Sequence, residues 1–423
     1  MVRSMKKSGI EWIGEIPDNW EISRTKNYYT NHKYIVGDKA AEYDRLALTL
    51  NGVIKRSKED ANGLQPEDFS GYQILNKDEL VFKLIDLENV STSRVGLSPY
   101  KGIVSPAYII LHKKDDTNSK YGEYFFLSMW QREIFNHMGD DGVRSSLNST
   151  DLLNIPYIFP PIKEQQKIVD YLDSKCHIID SVVTKTSESV EEYKRLKQSI
   201  ITQAVTHGIK QNRKMKNSGI EWVTEIPEEW NSITPKVLFT QRKEKANYGE
   251  KQLTASQQYG IIFQDEYMEL TGSKIVTVEK DFDILKHVES GDFVISMRSF
   301  QGGLEYSTKT GSISSAYVML IPNLKLVYPR FFRWLLKSNI YINALQSTSN
   351  LVRDGQAMRY SNFAQIRLYT VPLKEQEEIA DYLDSKCQLI DKLIEQKEQL
   401  LVELETYKKS LIYEYVTGKK EVK

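Results

Sequence analysis

The sequence predicts an α+β protein with two similar α/β domains and two long helices. Three observations support this prediction. Two segments occur twice at nearly the same separation, short strand-like runs mix with amphipathic stretches inside each copy, and each copy closes with a long run free of Gly and Pro. Mixed short strands and helices within one repeat are typical of α+β domains, and a long uninterrupted amphipathic run is typical of a helix.

The repeat is defined by two pairs of segments. KEQQKIVDYLDSKCHIID at Lys163–Asp180 returns as KEQEEIADYLDSKCQLID at Lys374–Asp391, 374 − 163 = 211 residues later. SGIEWIGEIPDNW at Ser8–Trp20 returns as SGIEWVTEIPEEW at Ser218–Trp230, 218 − 8 = 210 residues later. A chain of 423 residues has room for two to three domains. We therefore expect domains at 1–159 and 209–371, and long helical segments at 160–208 and 372–423.

The composition is that of an ordinary globular chain. Lys and Arg total 57, as do Asp and Glu, while 40% of residues are hydrophobic and 27% are charged. The two cysteines, Cys176 and Cys387, hold matching repeat positions and fit neither a disulfide framework nor a zinc site. Since there is no signal-peptide core and no long apolar run, we expect a cytoplasmic protein without a membrane segment.

Each domain is predicted to contain the same elements in the same order. Trp12 and Trp20 should fix the entering chain on the domain core. In the first domain we expect strands at Glu79–Ile85 and Gly102–Leu111, a helix at Tyr121–Met138, a polar loop at Gly139–Thr150 and a strand at Leu152–Phe159. In the second we expect strands at Asp292–Met297 and Ile313–Pro322, a helix at Tyr328–Leu345, a polar loop at Gln346–Asn362 and a strand at Ile366–Val371.

The closing runs, Lys163–Thr206 and Lys374–Thr417, predict two helices with one narrow apolar stripe each. A helix of 44 residues (206 − 163 + 1) would be about 66 Å long. A small domain cannot cover such a stripe, so we expect the two helices to pair as a coiled coil. The predicted partner-helix positions are Ile168, Leu172, Ile179, Val190, Leu196, Ile200, Ile379, Leu383, Ile390, Leu401, Leu404 and Leu411.

The usual catalytic patterns are missing from the sequence. It has no GxxxxGK[ST] phosphate loop, no GxGxxG after a strand, and no Asn/Asp-Pro-Pro-aromatic segment of the kind that holds a flipped base. The six histidines form no HxxxH pair, and acid pairs such as Asp115-Asp116 lie in polar loops that favour solvated turns. The sequence therefore argues against catalysis and against a metal site in this chain.

The loops of both domains carry residues suited to DNA. Basic and acidic residues number 17 and 19 over 21–159 (17 − 19 = −2), and 17 and 12 over 231–370 (17 − 12 = +5). Arg pairs well with guanine, and Asn or Gln with adenine, so such residues on Gly-containing loops can read bases. The candidate DNA-binding residues are Lys55, Arg56, Lys83, Asn89, Ser91, Arg94, Arg144, Ser145, Asn148, Arg298, Ser299, Gln301, Arg353, Gln356 and Arg359.

These segments resemble the specificity subunits of type I restriction–modification systems. The resemblance rests on SGIEWIGEIPDNW, on PPIKEQQKIVDYLD and VPLKEQEEIADYLD, and on the doubled layout, and it covers essentially the whole chain. It implies two target recognition domains that each read half of a bipartite double-stranded DNA site. It also implies an antiparallel coiled coil that spaces them and docks two methyltransferase subunits, with restriction (translocase) subunits joining through the complex.

The resemblance also implies where the chemistry belongs. S-adenosylmethionine, ATP and magnesium are expected in partner subunits, and no cofactor is expected in this chain. Two other interpretations remain open from the residues alone. One is a coiled-coil adaptor with two protein-binding modules, which would bind a protein without nucleic acid. The other is a nuclease, which would cut DNA by itself with a metal.

Overall fold

The computed structural model describes residues 3–59, 68–87, 92–114, 117–138, 146–256, 258–278, 284–295, 304–348 and 360–422. The chain divides into two units. Unit 1 comprises Met1–Thr186 and Gln399–Lys423, and unit 2 comprises Ser187–Glu398. Each of the two long helices therefore contributes to both units, whereas the sequence prediction treats the helices as separate segments.

Unit 1 contains twelve described strands and the beginning of the first long helix. The strands are β1 Met5–Lys7, β2 Glu15–Pro17, β3 Glu21–Arg24, β4 Tyr29–Thr30, β5 Arg45–Thr49, β6 Gly52–Arg56, β7 Gln73–Leu75, β8 Leu80–Phe82, β9 Val95–Leu97, β10 Gly102–Val104, β11 Ile109–Lys113 and β12 Pro156–Phe159. The helices are α1 Ser119–Gln131, α2 Ser149–Asn154 and α3 Ile162–His207. Short 3-10 turns occupy Thr25–Asn27, Gly37–Glu42 and Ile134–His137.

Two four-stranded sheets form the centre of unit 1. Their strand orders are β6-β5-β10-β7 and β4-β11-β8-β9, and strands β5 and β10 pair in parallel. Leu46, Val81 and Ile110 belong to the apolar cluster shared by the two sheets. A second and larger cluster joins β8 and β11 to α1, to the first turns of α3 and to Leu411 and Val416 near the chain's end. The β4-β11-β8-β9 sheet is therefore packed on both of its faces.

Unit 2 repeats this plan with some changes. Its strands are β13 Met215–Ile220, β14 Val223–Pro227, β15 Asn231–Ile233, β16 Phe239–Arg242, β17 Leu253–Ser256, β18 Gly260–Phe263, β19 Lys286–Val288, β20 Phe293–Ile295, β21 Leu304–Tyr306, β22 Gly311–Ile313, β23 Val318–Pro322 and β24 Leu368–Thr370. Its helices are α4 Pro235–Leu238, α5 Gln264–Thr271, α6 Pro329–Leu336, α7 Asn339–Ser347, α8 Tyr360–Gln365 and α9 Leu373–Val416.

The sheet order β16-β23-β20-β21 in unit 2 corresponds to β4-β11-β8-β9 in unit 1. The hairpin β17–β18 corresponds to β5–β6, and the pair β19–β22 to β7–β10. In the described part of unit 2, helix α5 follows β18 directly and is an addition to the plan of unit 1. The structure thus confirms the α+β class and the predicted internal repeat.

The two long helices confirm the sequence prediction closely. The predicted Lys163–Thr206 and Lys374–Thr417 become α3 Ile162–His207 and α9 Leu373–Val416. Inside each unit, the segments of α3 and α9 run antiparallel. In unit 1, Lys408 Nζ lies 2.6 Å from Asp180, and in unit 2, Lys197 Nζ lies 2.6 Å from Asp391. Tyr171 also packs on Tyr415 in unit 1, and Lys194 Nζ lies 3.5 Å from Glu398 in unit 2. In each unit, therefore, the residue numbers fall on one helix as they rise on the other.

Several shorter elements differ from their predictions. The predicted strand Gly102–Leu111 is two strands, β10 and β11, in different sheets. Pro106 lies in a turn between them that is closed by a 3.1 Å hydrogen bond from Tyr108 N to the Ser105 carbonyl. The same division separates β22 from β23, where Tyr317 N donates to Ser314. A proline inside a run of β-forming residues marks such a break, since it has no N–H for the ladder.

The predicted aromatic helices are also shorter than expected. Helix α1 ends at Gln131, because Glu133 adopts a left-handed backbone with φ of 59°. Tyr328–Leu345 divides into α6 and α7 at Ser338, whose side chain caps α7 by accepting from Tyr341 N. Leu152 belongs to helix α2, so the closing strand β12 begins only at Pro156. Local capping therefore determines where these elements end.

In each unit, a tryptophan–glutamate hydrogen bond, called here the tryptophan–glutamate clasp, attaches the repeated N-terminal segment to the long helix. Trp20 is fully buried, and its Nε1 donates to Glu164 Oε2 at 2.9 Å. Trp230 and Glu375 repeat the contact at 3.3 Å in unit 2. This confirms that the second tryptophan of each pair fixes the entering chain to the core. The repeated Lys-Glu-Gln triplet lies in the first turn of both helices, and its Glu accepts the hydrogen bond from the tryptophan.

Candidate nucleic-acid interface

Two of the predicted DNA-binding loops of unit 1 are anchored beside each other. The backbone N–H of Leu147 donates to the Leu84 carbonyl at 2.9 Å, and both side chains are buried. Leu84 follows strand β8, and Leu147 lies just before helix α2. The chain after β8 and the chain before α2 therefore lie next to each other.

Arg94 is placed inside the domain rather than on its surface. Its side chain is fully buried and donates to the Asp86 carbonyl. Lys83 Nζ lies 3.4 Å from Thr92 Oγ1 on the same loop, and burial, reinforced by the Arg94 charge, lowers the pKa of Lys83. A buried guanidinium cannot also contact DNA, so we leave Arg94 out of the proposed interface. Its contact instead ties the two ends of the loop together.

Asn148 is exposed and also caps the N-terminus of helix α2. Its side-chain oxygen accepts from Thr150 N at 2.8 Å and from Asp151 N at 3.1 Å. The Asp151 side chain accepts from Asn148 N at 2.9 Å, which completes a capping box at the start of α2. Asn148 therefore fixes the C-terminal end of the loop that contains Arg144 and Ser145.

Lys55 and Arg56 lie on strand β6, next to a basic and aromatic surface that the sequence analysis missed. Lys55 Nζ is 2.6 Å from Asp44 and 5.4 Å from the centre of the Tyr100 ring. Next to it, Lys101 Nζ lies 5.6 Å from the centre of the Tyr43 ring. The adjacent Tyr100 and Lys101 in the sequence were the available signal. Alternating cations and aromatic rings suit phosphates and bases.

Unit 2 has a similar surface in which the residue types are exchanged. Phe263 takes the place of Lys55 on the second hairpin strand, and Lys309 takes the place of Tyr100 before the following strand. Lys309 Nζ lies 4.5 Å and Lys251 Nζ 4.7 Å from the centre of the Phe263 ring. Acids from α5 neutralise both lysines, with Lys251 2.7 Å from Asp265 and Lys309 2.5 Å from Glu266.

Most of the other predicted DNA-binding residues lie outside the described parts of the chain. The structure does describe the ends of their loops in unit 2. Asn362 Nδ2 donates to the Thr348 carbonyl at 3.1 Å, which joins the described chain on either side of residues 349–359. The candidates outside the described residues are Asn89, Ser91, Arg144, Ser145, Arg298, Ser299, Gln301, Arg353, Gln356 and Arg359.

The predicted partner-helix residues divide into three groups. The first group lies in the core clusters of the units and consists of Ile168, Leu172, Ile179, Ile379, Leu383 and Leu411. The second is buried or half-buried elsewhere along the stripe or at its edge and consists of Val190, Ile200, Ile390, Leu401 and Leu404. Leu196 alone among the twelve is exposed, at 48%. Half of the predicted stripe residues therefore belong to the apolar cores of the two units and do not serve helix pairing alone.

Several apolar residues of the long helices are exposed, and a matched pair from each unit recurs in the other unit. In unit 1 these are Ile178 of α3 and Tyr407 of α9, at 53% and 55% exposure. In unit 2 they are Leu389 and Leu196, and the offset of 211 relates them to the first pair (389 − 178 and 407 − 196). Exposed apolar residues therefore recur at equivalent places on the long helices of the two units.

The described residues also bear on metal, membrane and thiol sites. They contain no group of three or more His, Cys, Asp or Glu side chains that could hold a metal ion. None of the described helices is both long and apolar enough to cross a membrane. Cys176 and Cys387 are buried free thiols, and burial raises the pKa of both. A raised pKa makes a thiol a poorer nucleophile at neutral pH.

Comparison with known proteins gives consistent results. The profile of a family described as "Type I restriction modification DNA specificity domain" matches residues 14–192 and again residues 227–406. The MjaX type I restriction enzyme specificity subunit of Methanocaldococcus jannaschii is 22% identical over 434 aligned positions, covering 97% of this chain and 96% of the relative.

Solved structures have the same fold. A chain from a type I R-M system, solved to explain complex assembly and conformational transition, superposes with a TM-score of 0.70 at 13% identity, covering 96% of this chain and 99% of its own. The HsdS subunit from Thermoanaerobacter tengcongensis superposes with a TM-score of 0.52 at 12% identity, covering 98% of this chain and all of its own.

Proposed function

Since the chain belongs to the type I restriction–modification DNA specificity family, we propose that each unit binds one half of a bipartite target on double-stranded DNA. The chain is a specificity subunit with two target recognition domains, and it is not the catalytic component of such a system. This function replaces the adaptor and nuclease interpretations that the residues alone leave open.

The duplication supports the proposal most strongly. Both units keep the same sheet order and the same tryptophan–glutamate clasp, while the residues around their loops and hairpins differ. Two domains that share a scaffold but differ in their loops would bind DNA in the same geometry and prefer different base sequences. Such an arrangement suits a target made of two unlike halves.

We place the DNA contacts of unit 1 on the loops next to Leu84 and Leu147 and on the surface around Lys55 and Lys101. In unit 2 we place them on the two segments that carry Arg298 and Arg359. Arg and Gln there can form paired hydrogen bonds to base edges, and the lysines can bind phosphates. The net charge of +5 over 231–370 favours unit 2 as the stronger phosphate binder.

The partner subunits are part of the same proposal. The two matched apolar pairs support the docking of two methyltransferase subunits, one for each unit, and restriction subunits would join through them. S-adenosylmethionine, ATP and magnesium would then act in those partners. A large apolar residue at the centre of a docking surface often dominates binding, so Leu196 and Tyr407 are the positions to test.

The DNA function can be tested by exchanging one domain. Residues 21–159 would be replaced by the corresponding segment of another specificity subunit, and the methylated sites of a host carrying the complex would be sequenced. We expect one half of the site to change and the other to stay the same. A change in both halves, or in neither, would contradict the assignment of one half-site to each unit.

The two-to-one assembly needs a separate test. Native mass measurement of the purified complex should give two methyltransferase subunits for each specificity chain. Leu196→Glu with Leu389→Glu should leave one subunit bound, and so should the matched Tyr407→Glu with Ile178→Glu. A wild-type complex that holds a single subunit at saturation would rule out two docking surfaces without affecting the DNA assignment.

A further inference from the structure

A groove lies at the end of α3 in unit 2. It has a volume of about 730 Å³ and is bounded by the last turns of α3, by the chain from Gly208 to Met215 and by Tyr382 of α9. Its apolar lining comes from Ile200, Ala204, Ile209, Met215 and Tyr382. Lys210 and His207 also line it.

The equivalent place in unit 1 is filled by the chain itself. Tyr171, which corresponds to Tyr382 (382 − 211 = 171), packs on Tyr415 with ring centres 4.5 Å apart. The counterpart of Tyr415 in unit 2 is Ala204 (415 − 211 = 204). The second partner of the tyrosine is the same in both units, since Lys175 lies over Tyr171 and Lys386 over Tyr382. Unit 2 therefore lacks one aromatic ring of an otherwise repeated stack.

A carboxylate is replaced together with the ring. In unit 1, Glu414 lies 2.7 Å from Lys420. The counterpart of Glu414 in unit 2 is the uncharged Gln203, whereas the counterpart of Lys420 is Lys210. The latter offset is 210, because unit 2 has one extra residue, His207, before the glycine that ends the helix. The groove thus keeps the tyrosine and the lysine and lacks the glutamate and the ring that bind them.

We propose that this groove binds a partner polypeptide through an acidic residue adjacent to an aromatic one. The aromatic ring stacks on Tyr382, where Tyr415 would lie, and the carboxylate pairs with Lys210. The Glu414 and Tyr415 side chains of unit 1 show that an aromatic ring and a carboxylate fit this geometry. A carboxylate next to an aromatic ring is found on a polypeptide and not on a nucleobase, which favours a protein ligand. Such a site would let a partner distinguish unit 2 from unit 1, and it does not depend on how either unit reads DNA.

The test uses the full-length chain and a blocked synthetic peptide, Ile-Tyr-Glu-Tyr-Val, which copies Ile412–Val416. Peptide binding would be measured by saturation-transfer NMR and titration. We expect Lys210→Glu to weaken binding about tenfold, which is roughly 1.4 kcal/mol. The matched exchange Lys420→Glu in unit 1 should leave binding unchanged. Replacing the second Tyr of the peptide by Leu, or its Glu by Gln, should weaken binding to the wild-type chain.

Two further variants locate the site. Ala204→Tyr should abolish peptide binding by supplying the missing ring from the chain itself. Since Ala204 is buried, Tyr382→Leu provides a second variant that removes the stacking surface without adding volume, and it should also abolish binding.

Several results would overturn the proposal. These are no peptide binding at saturating concentration, or equal effects of Lys210→Glu and Lys420→Glu. Self-association of the chain that Ala204→Tyr abolishes would identify a second copy as the occupant instead. Displacement of the peptide by a short single-stranded oligonucleotide, with the same sensitivity to Lys210→Glu, would identify a nucleobase.

Discussion

Two copies of one buried contact differ in their exposure to water. Arg213 and Glu375 form an ion pair in unit 2 with side-chain exposures of 8% and 4%, and Arg3 and Glu164 form its counterpart at 19% and 23%. The arginine lies over the tryptophan ring in both units. An ion pair with little exposure is costly to break, and Arg213 would then keep only the exposed Glu229, 3.1 Å away, as its partner.

The two pairs therefore predict unequal costs for the same substitution. Glu375→Gln should lower the free energy of unfolding of unit 2 by about 2–4 kcal/mol, and Glu164→Gln should lower that of unit 1 by about 1 kcal/mol. Urea unfolding of each variant, followed by hydrogen exchange to separate the units, would measure both. Equal losses would show that burial does not set the strength of this contact.

His112 gives unit 1 a dependence on pH. Its Nδ1 lies 2.7 Å from Glu79 Oε1, and this hydrogen bond raises the pKa of His112 above its ordinary value of 6.5 despite partial burial. Burial would raise the pKa of Glu79, but hydrogen bonds from His112 and Asn76 outweigh it and lower that pKa below 4.5. The charged pair contributes fully between these two ordinary values. Its contribution is lost as pH rises through the raised pKa of His112 or falls through the lowered pKa of Glu79.

We therefore expect His112→Gln to destabilise unit 1 by about 1 kcal/mol near pH 6 and by clearly less near pH 9. Urea unfolding of variant and wild type at both pH values measures the difference. His177→Gln, at an exposed position of α3 and away from this pair, is measured at the same two pH values as the control for a His-to-Gln exchange. A constant effect of His112→Gln from pH 6 to pH 9 would mean that packing, and not charge, accounts for the loss.

Among the elements, the ends of the long helices are held by buried tyrosines. Tyr121 Oη donates to the Val416 carbonyl at 2.9 Å in unit 1, and Tyr369 Oη donates to the Val205 carbonyl at 2.5 Å in unit 2. The last carbonyls of a helix have no partner within the helix, so an outside donor satisfies them. Both contacts lie in apolar surroundings, where an unpaired carbonyl is costly.

Tyr369→Phe should consequently lower the stability of unit 2 by about 1–2 kcal/mol. Tyr341→Phe is a matched control in the same core, because Tyr341 is also fully buried and, among the described residues, its hydroxyl has no hydrogen-bond partner. Removing that hydroxyl should be neutral or slightly stabilising. Thermal unfolding of the two variants compares the effects directly, and a similar loss in both would argue against the helix-end bond.

The elements also show what the sequence could predict. The long helices were predicted to within one residue at each end, because their boundaries coincide with the chain's longest repeated run without Gly or Pro. The strand prediction at Gly102–Leu111 was wrong because a turn of four residues, Ser105–Tyr108, contains only one strong signal, Pro106. The division at Ser338 depends on a side chain that caps a helix, and spacing of apolar residues does not reveal a cap.

The candidate interface was harder to predict than the fold. Residue type alone could not show that Arg94 faces inward, because the same arginine on an exposed loop would bind DNA equally well. The surface of Tyr43, Tyr100, Lys55 and Lys101 combines residues far apart in the sequence, and only the sheet brings them together. The buried Gln165 and Gln376 likewise join loops to helices through backbone contacts that a sequence does not display.

At the scale of the whole molecule, the two units close in different ways. In unit 2, the segment 208–214 joins the end of α3 to strand β13. In unit 1, the corresponding place holds the two chain ends. Lys419 Nζ donates to the Ile13 carbonyl at 2.8 Å, and Arg3 and Val422 line one cavity of about 400 Å³. The chain ends thus occupy the position at which the other unit has a connection.

A circular permutant should therefore keep both units. The permutant joins Lys423 to Met1 by a short flexible linker and opens the chain between Gln211 and Asn212, which are both exposed. Unit 1 then has a continuous connection, and the new chain ends lie in unit 2. We expect an unfolding midpoint within a few degrees of the wild type and unchanged hydrogen-exchange protection in both cores. Loss of protection confined to unit 2 would show that its connection is needed for folding.

Unit 1 is assembled from residues that precede unit 2 and residues that follow it, since Leu411, Ile412 and Val416 lie in the same core as Trp20. During translation, the ribosome releases all residues of unit 2 before it releases the residues that complete unit 1. The part of unit 1 that precedes unit 2 therefore has an uncovered apolar surface during the synthesis of unit 2, and unit 2 can fold in that time. A nascent chain that stops early would contain one finished unit and one open core, which gives the cell's chaperones and proteases a direct way to recognise incomplete copies.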